Sequence, residues 1–131
     1  MKEAYMNNLR AGTMDNVELC KLMKVDELFR DKLLSIVDTQ YENSDFSIED
    51  LSEHLGLSRV HLYRKMKTLF GVSPTDYLRY YRLNKAMLLL KARQYNISEI
   101  AYMTGFTSPA YFTKCFRTLY GVTPTEAMVA N

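Results

Sequence analysis

A fourteen-residue segment of this chain recurs in related form fifty positions on, and that repeat constrains the fold more than any other feature. Residues 62–75 (LYRKMKTLFGVSPT) return as 112–125 (FTKCFRTLYGVTPT), with Thr, Leu, Gly, Val, Pro and Thr identical and the cationic pairs Arg64/Lys114 and Lys67/Arg117 kept. The correspondence continues upstream, where 48–56 (IEDLSEHLG) matches 97–105 (ISEIAYMTG) at an offset of 49. One residue is therefore inserted between Gly105 and Phe112. A repeat of this length is one supersecondary unit used twice.

Local signals divide each copy into a short helix, a glycine and a second helix closed by another glycine. Ser47-x-x-Asp50 and Asn96-x-x-Glu99 have capping-box spacing, in which the first side chain caps an amide and the acid reaches back. Gly56 and Gly105 stand where the apolar pattern breaks, as a tight turn with positive φ requires. Ser58 can cap the next helix in the first copy; Ser108 does so in the second, with Pro109 preset for the first helical position. Gly71 and Gly121 end these helices. Ser73-Pro74-Thr75-Asp76 then opens a long run to about Arg93, with Leu78, Tyr81, Ala86, Leu89 and Leu90 as a core stripe and Tyr77, Leu83 and Met87 leaving little of it polar. A helix apolar on several sides is sandwiched between others. The pattern predicts an all-α fold: two helix-turn-helix units, about 46–71 and 96–121, joined by a long linker helix at about 74–93.

Upstream, Asp26 is expected to open a further helix with Phe29, Leu33, Ile36 and Val37 on one side. Residues 14–24 have the makings of a helix, but Asn7, Asn8 and Gly12 favour an irregular start, and residues 1–25 are read as a linker or N-terminal extension. At 131 residues, 47% hydrophobic and 24% charged, with 5 Gly and 3 Pro, the chain has the balance of one ordinary globular domain plus an appendage.

The net charge of +2 conceals an asymmetry. Residues 1–50 carry six Lys/Arg against eleven Asp/Glu, whereas 51–131 carry eleven against four. The basic part is the repeated part, as a polyanion-binding module would have it. Within the second helix of copy one, residues 59–67 hold four cations and no acid. Like charges so spaced repel, and a polyanion partner relieves that repulsion.

A helix-turn-helix places its second helix in the major groove of DNA, with base edges facing its first turns and phosphates at its flanks. The expected base-reading residues are Arg59, Val60, Tyr63 and Arg64 in the first copy and Pro109, Ala110, Thr113 and Lys114 in the second. Expected phosphate contacts are Ser58, His61 and Lys67, and Thr107, Ser108 and Arg117. Leu62, Met66 and Leu69 take the core positions of the first helix; Tyr111, Phe112, Phe116 and Leu119 are available to the core in the second. Arg64 can read guanine through paired donors, while Pro109 and Ala110 can only touch a thymine methyl, so the first unit should discriminate sequence more sharply.

Residues 26–131 resemble the DNA-binding domain of the AraC family. The resemblance rests on Ile97, Ile100-Ala101, Gly105-Phe106, Ser108, Tyr111-Phe112, Phe116-Arg117 and Gly121-Val122-Thr123-Pro124, with Arg82-Leu83, Ala86 and Leu89-Leu90 matching the family's linker-helix pattern. It implies seven helices and two units meeting successive major grooves of double-stranded DNA. It also implies transcription activation through RNA polymerase. The phrasing is similar to output domains of response regulators and hybrid two-component sensors, which implies an upstream sensory or receiver domain.

Competing readings fare worse. His54 and His61 have no carboxylate or Cys companions at ligand spacing, and are read as a surface and a packing histidine rather than metal ligands. Cys20 and Cys115 suggest neither a disulfide nor a zinc site, Cys115 being read as a small core residue. No phosphate loop, nucleophile elbow or carboxylate pair points to an enzyme, and no cofactor is expected. A helical protein-interaction module would explain the helices but not the repeated capped pairs or the acid-free basic helix. The longest apolar run, residues 86–90, is too short to span a bilayer, and no signal peptide opens the chain, so the segment reads as cytoplasmic, without membrane contact.

Overall fold

The computed structural model describes residues 16–130, and the regular secondary structure in that range is all helix. Seven helices follow in order among the described residues: α1 (Asn16–Gln40), α2 (Ile48–Leu55), α3 (Arg59–Phe70), α4 (Pro74–Ala92), α5 (Ile97–Met103), α6 (Pro109–Tyr120) and α7 (Pro124–Val129). They form two compact units. The first takes in α1 to residue 38 and residues 48–74; the second takes in residues 39–47 and everything from Thr75 onward.

The first helix begins ten residues earlier than expected, at Asn16 rather than Asp26. Of the stretch read as a linker, residues 16–25 are helical, and 1–15, with Asn7, Asn8 and Gly12, lie outside the described residues. The reason is visible in the composition. No Gly or Pro occurs between Gly12 and Gly56, and Glu18 in the first turn favours the positive end of the helix dipole.

In the first unit Leu33 and Val37 of α1, Leu51 of α2, and Leu62, Met66 and Leu69 of α3 are buried. Two cation–π contacts fasten α1 to α3: Lys65 Nζ lies 4.9 Å from the Phe29 ring centre, and the Arg30 guanidinium 5.6 Å from that of Phe70. Ser52, buried in α2, donates its hydroxyl to the Ile48 carbonyl at 2.9 Å and so leaves no polar group stranded.

The second unit is built around aromatic rings. Leu83, Ala86 and Leu90 of α4, Ile100 and Ala101 of α5, Phe106, Phe112 and Phe116, and Ala127 of α7 form one buried cluster. Ring centres are 5.1 Å apart for Phe106–Phe112, 5.7 Å for Phe112–Phe116 and 4.6 Å for Phe116–Tyr120. Each buried ring contributes about 1.5–3 kcal/mol of transfer free energy. Cys115 packs half-buried against this cluster.

The linker helix α4 is thus a core helix of the second unit. It stands to α5 and α6 as α1 stands to α2 and α3, and Leu33 and Leu83, fifty residues apart, are both fully buried. The repeating element is a set of three helices. Expected core residues Tyr81 and Leu89 are only half-buried, whereas Leu78, Leu83, Ala86 and Leu90 are fully enclosed. The closing α7 carries a capping box: Thr123 accepts from the Glu126 amide, and Glu126 accepts from the Thr123 amide at 3.0 Å.

Candidate nucleic-acid interface

The reading surfaces are set by how α3 and α6 are started, turned and buried. Ser58 accepts a hydrogen bond from the His61 amide, and Ser108 one from the Tyr111 amide, both at 3.1 Å. A capping hydroxyl used this way accepts through one lone pair and still has its own proton to donate. Both serines therefore remain able to meet a phosphate. Gly71 and Gly121 close the helices in the left-handed region at φ 73° and 75°, each amide returning to the carbonyl four residues back.

With 3.6 residues per turn, positions 60, 63, 64 and 67 fall on the side of α3 away from Leu62, Met66 and Leu69, while Arg59, the first residue of the helix, stands beside that stripe. All five are exposed, as are Ser58 and His61, so every site residue expected in the first copy is presented outward. Val60 is 63% exposed, which no packing role explains. Lys65 turns inward over Phe29, leaving Arg59, Arg64 and Lys67 as the outward cations. His61 does not pack as expected of it; it sits in the first turn of α3, a quarter-turn from the buried stripe, and is exposed.

On α6 the equivalent face carries Pro109, Ala110, Thr113, Lys114 and Arg117. Ala110, Lys114, Arg117 and Thr107 are exposed, while Ser108, Pro109 and Thr113 are half-buried. Ala110, Thr113, Lys114 and Arg117 line an open groove together with Thr118 and Thr123. The last two were missed by sequence reasoning. Their signal was the register: Thr118 follows Lys114 by one turn, and its hydroxyl donates to the Lys114 carbonyl at 2.9 Å.

Two expected core residues of α6 are corrected. Tyr111 is 48% and Leu119 40% exposed, whereas Leu69, the first-copy counterpart of Leu119, is 3% exposed. Phe112 and Phe116, one turn apart, fill the buried stripe; Tyr111 stands about 100° to its side, whereas Leu119 lies on the stripe by helical period and is still part-exposed near the end of α6.

The faces differ electrically. α3 presents three outward cations and no acid in its first turn; α6 presents Lys114 and Arg117. Amides at a helix start have no carbonyl partner inside the helix and suit an anion. Pro109 deletes one such donor from α6, where α3 keeps that of Arg59.

The turn of the second copy is more tightly held than that of the first. Gly105 has φ 87°, and a Cβ there would stand 2.1 Å from the Tyr41 carbonyl oxygen and 2.6 Å from Arg82 Nε. Gly56, at φ 67°, has nothing within 4 Å of such a Cβ. Arg82 donates from Nε to the Tyr41 carbonyl at 2.9 Å and from Nη2 to the Asn43 carbonyl at 2.8 Å. Burial holds its guanidinium below the ordinary arginine value.

Two capped helix pairs, each hinged on a positive-φ glycine and each presenting one basic face, define a double helix-turn-helix domain. The family model described as a helix-turn-helix domain matches residues 51–128. The chain is 35% identical over 105 residues to histidine kinase P4 of Formosa agariphila, covering 80% of this chain and 8% of that protein. Its fold is similar to the C-terminal domain of the two-component response regulator yesN from Fusobacterium nucleatum, with TM-score 0.71 and 34% identity over 76% of this chain and 96% of that one. It is also similar to the DNA-binding domain of AdpA, a global transcriptional factor whose structure was solved with a target DNA, with TM-score 0.71 and 26% identity over 76% of this chain and 89% of that one. The chain belongs to the AraC-type helix-turn-helix family of transcriptional regulators. It spans only part of its curated relatives: 8% of the kinase, 54% of another and 33% of a third. No helix among the described residues is long and apolar enough to cross a membrane.

Proposed function

We propose that this chain binds double-stranded DNA in a sequence-specific way, with α3 as the principal reader and α6 as the weaker one, as the output part of a signal-responsive regulator of two-component type. The observation that carries this reading is the paired outward faces, acid-free in their first turns and opposite fully buried apolar stripes. Arg59, Val60, Tyr63 and Arg64, and Pro109, Ala110, Thr113 and Lys114, are assigned to base edges; Ser58, His61, Lys67, Thr107, Ser108 and Arg117 to phosphates. Arg64 offers the paired donors that distinguish guanine, whereas Ala110 and Pro109 offer none. The AdpA domain, solved on its target DNA, supports the DNA assignment. The yesN domain and the kinase support the output role. In this reading the chain performs no chemistry and needs no cofactor. RNA polymerase and an upstream sensory or receiver domain are its protein partners.

The test is the salt dependence of affinity for duplex DNA. Several neutralised phosphates give a steep fall of log K with log salt, each phosphate adding about 0.9 to the slope on B-form DNA. A slope near zero removes DNA from the account and favours a protein-interaction module.

A further inference from the structure

We propose that Arg82 is the positioning residue of the second reading helix: it clasps the 39–47 strap against the α5–α6 turn and so fixes the direction in which α6 leaves that turn. The proposal rests on the DNA-binding reading above and deepens it.

The strap is the last two residues of α1 and the segment that leads from it to α2, and it groups with the second unit. It is folded on itself by amides of Asn43 and Phe46 donating to the Gln40 and Asn43 carbonyls at 3.0 and 3.1 Å, and by the Asp45 amide donating to Asn43 Oδ1 at 3.0 Å. Phe46 is buried, and the Tyr41 ring lies 5.6 Å from that of Tyr81, with Lys85 Nζ within 5.6 Å of both. Arg82 adds the polar fastening, since its planar fork spans the Tyr41 and Asn43 carbonyls together. A lysine, a single point donor, cannot reproduce that span.

What makes the clasp bear on function is its third neighbour. Arg82 Nε and the Tyr41 carbonyl press on Gly105 so closely that the turn has no room for a side chain. Phe106 follows directly, buried, with its ring 5.1 Å from Phe112 and 6.2 Å from Tyr111 in the first turn of α6. Displacement at Gly105 is therefore passed through Phe106 to Ala110 and Thr113. The first copy differs at both places: the position fifty residues before Arg82 is the exposed Lys32, and Gly56 is open on its Cβ side.

The test is binding selection from randomised duplexes, run on the wild-type chain and on Arg64→Ala, Arg82→Ala, Arg82→Lys and Tyr41→Ala, each verified as folded by far-ultraviolet circular dichroism. Arg64→Ala identifies the half of the motif read by α3. Arg82→Ala should lower affinity for the selected site about tenfold, the scale of losing hydrogen bonds from a charged donor. Its loss of sequence preference should be confined to the other half of the motif. Arg82→Lys should fall between it and wild type, and Tyr41→Ala, which loosens the strap without touching Arg82, should blur the same half more weakly. If Arg82→Ala does not fold, the lysine and Tyr41 variants carry the test alone. Uniform weakening across both halves means a merely structural role and overturns the proposal while leaving the DNA reading intact. Absence of salt-dependent duplex binding by the wild-type chain overturns both.

Discussion

The two helix-turn-helix copies share their caps, their closing glycines and the centre of their buried stripes, and differ on the faces proposed to meet DNA. Leu62 and Phe112, and Met66 and Phe116, are fully buried in both; Ser58 and Ser108 cap in the same way; Gly71 and Gly121 terminate at nearly the same φ. The outward positions have drifted, from Arg59, Val60, Tyr63 and Arg64 to Pro109, Ala110, Thr113 and Lys114. The support has drifted too. The first copy fills its core with aliphatic and sulfur side chains and leaves its turn glycine open, while the second stacks aromatic rings and packs its turn glycine against Arg82 and the strap. The comparison teaches that a duplicated fold keeps the centre of its buried stripe, at Leu62/Phe112 and Met66/Phe116, while the stripe's end at Leu69/Leu119, the exposed face and the bracing change separately.

The largest effects should come from the two cores. Phe116→Ala is expected to cost about 3–5 kcal/mol and Met66→Ala about 2–5 kcal/mol. The phenylalanine should cost more, because its ring also contacts Phe112 and Tyr120. Urea unfolding of both variants checks this, and the reverse order would break the claim that the second core is the more tightly specified.

Next come the reading faces. Arg64→Ala should weaken binding to the cognate site by about 1–3 kcal/mol and relax preference at one or two base pairs. Lys67→Ala should weaken all sequences alike, and Lys114→Ala should lower general affinity with little change in the selected motif. Selection from randomised duplexes decides. A motif reshaped by Lys114→Ala but intact in Arg64→Ala would reverse the ranking of the two copies.

The caps sharpen the likeness rather than the difference. Ser58→Ala and Ser108→Ala should each cost about 1 kcal/mol, and glycine at either place only a few tenths. Thermal unfolding of the four variants measures it; a clear inequality would show that Pro109 already holds the start of α6 without its serine.

The smallest effect is a pH dependence at α7. The Thr123 amide, and then its hydroxyl, hold the Glu126 carboxyl below its ordinary value of 4.5, with Arg117 helping slightly. Because the folded value is the lower one, the stabilisation is complete above the ordinary value and is lost as pH falls through the folded one. The thermal-midpoint advantage of the wild-type chain over Glu126→Gln should therefore shrink as pH drops below 4.5. An advantage that grew with acidity would exclude the box as its source.

Much of this was legible before any coordinates because it depends on short-range chemistry. The Asn96–Glu99 box, both serine caps and the positive-φ glycines follow from spacings of three or four residues, and each stands where expected. The outward set on α3 followed from helical period alone. Illegible were features that depend on neighbours far away in sequence. The exposure of Tyr111 and Leu119 is one, since helical period alone does not say how far a core extends along α6. The start of α1 is a local exception, in which the breaker-free stretch after Gly12 outweighs Asn7, Asn8 and Gly12.

By itself, then, the sequence determined the duplication, which shows when the chain is compared with itself, and the caps, the turn glycines and the basic face, which are properties of residues within a helical turn or two of one another. Only the tertiary structure decided that α4 is a core helix of the second unit, that Gly105 is glycine for space as well as for φ, and that Arg82 serves carbonyls 41 and 39 residues away. Backbone carbonyls carry no sequence signature. Which of them a half-buried arginine meets is fixed only when the chain has closed on itself.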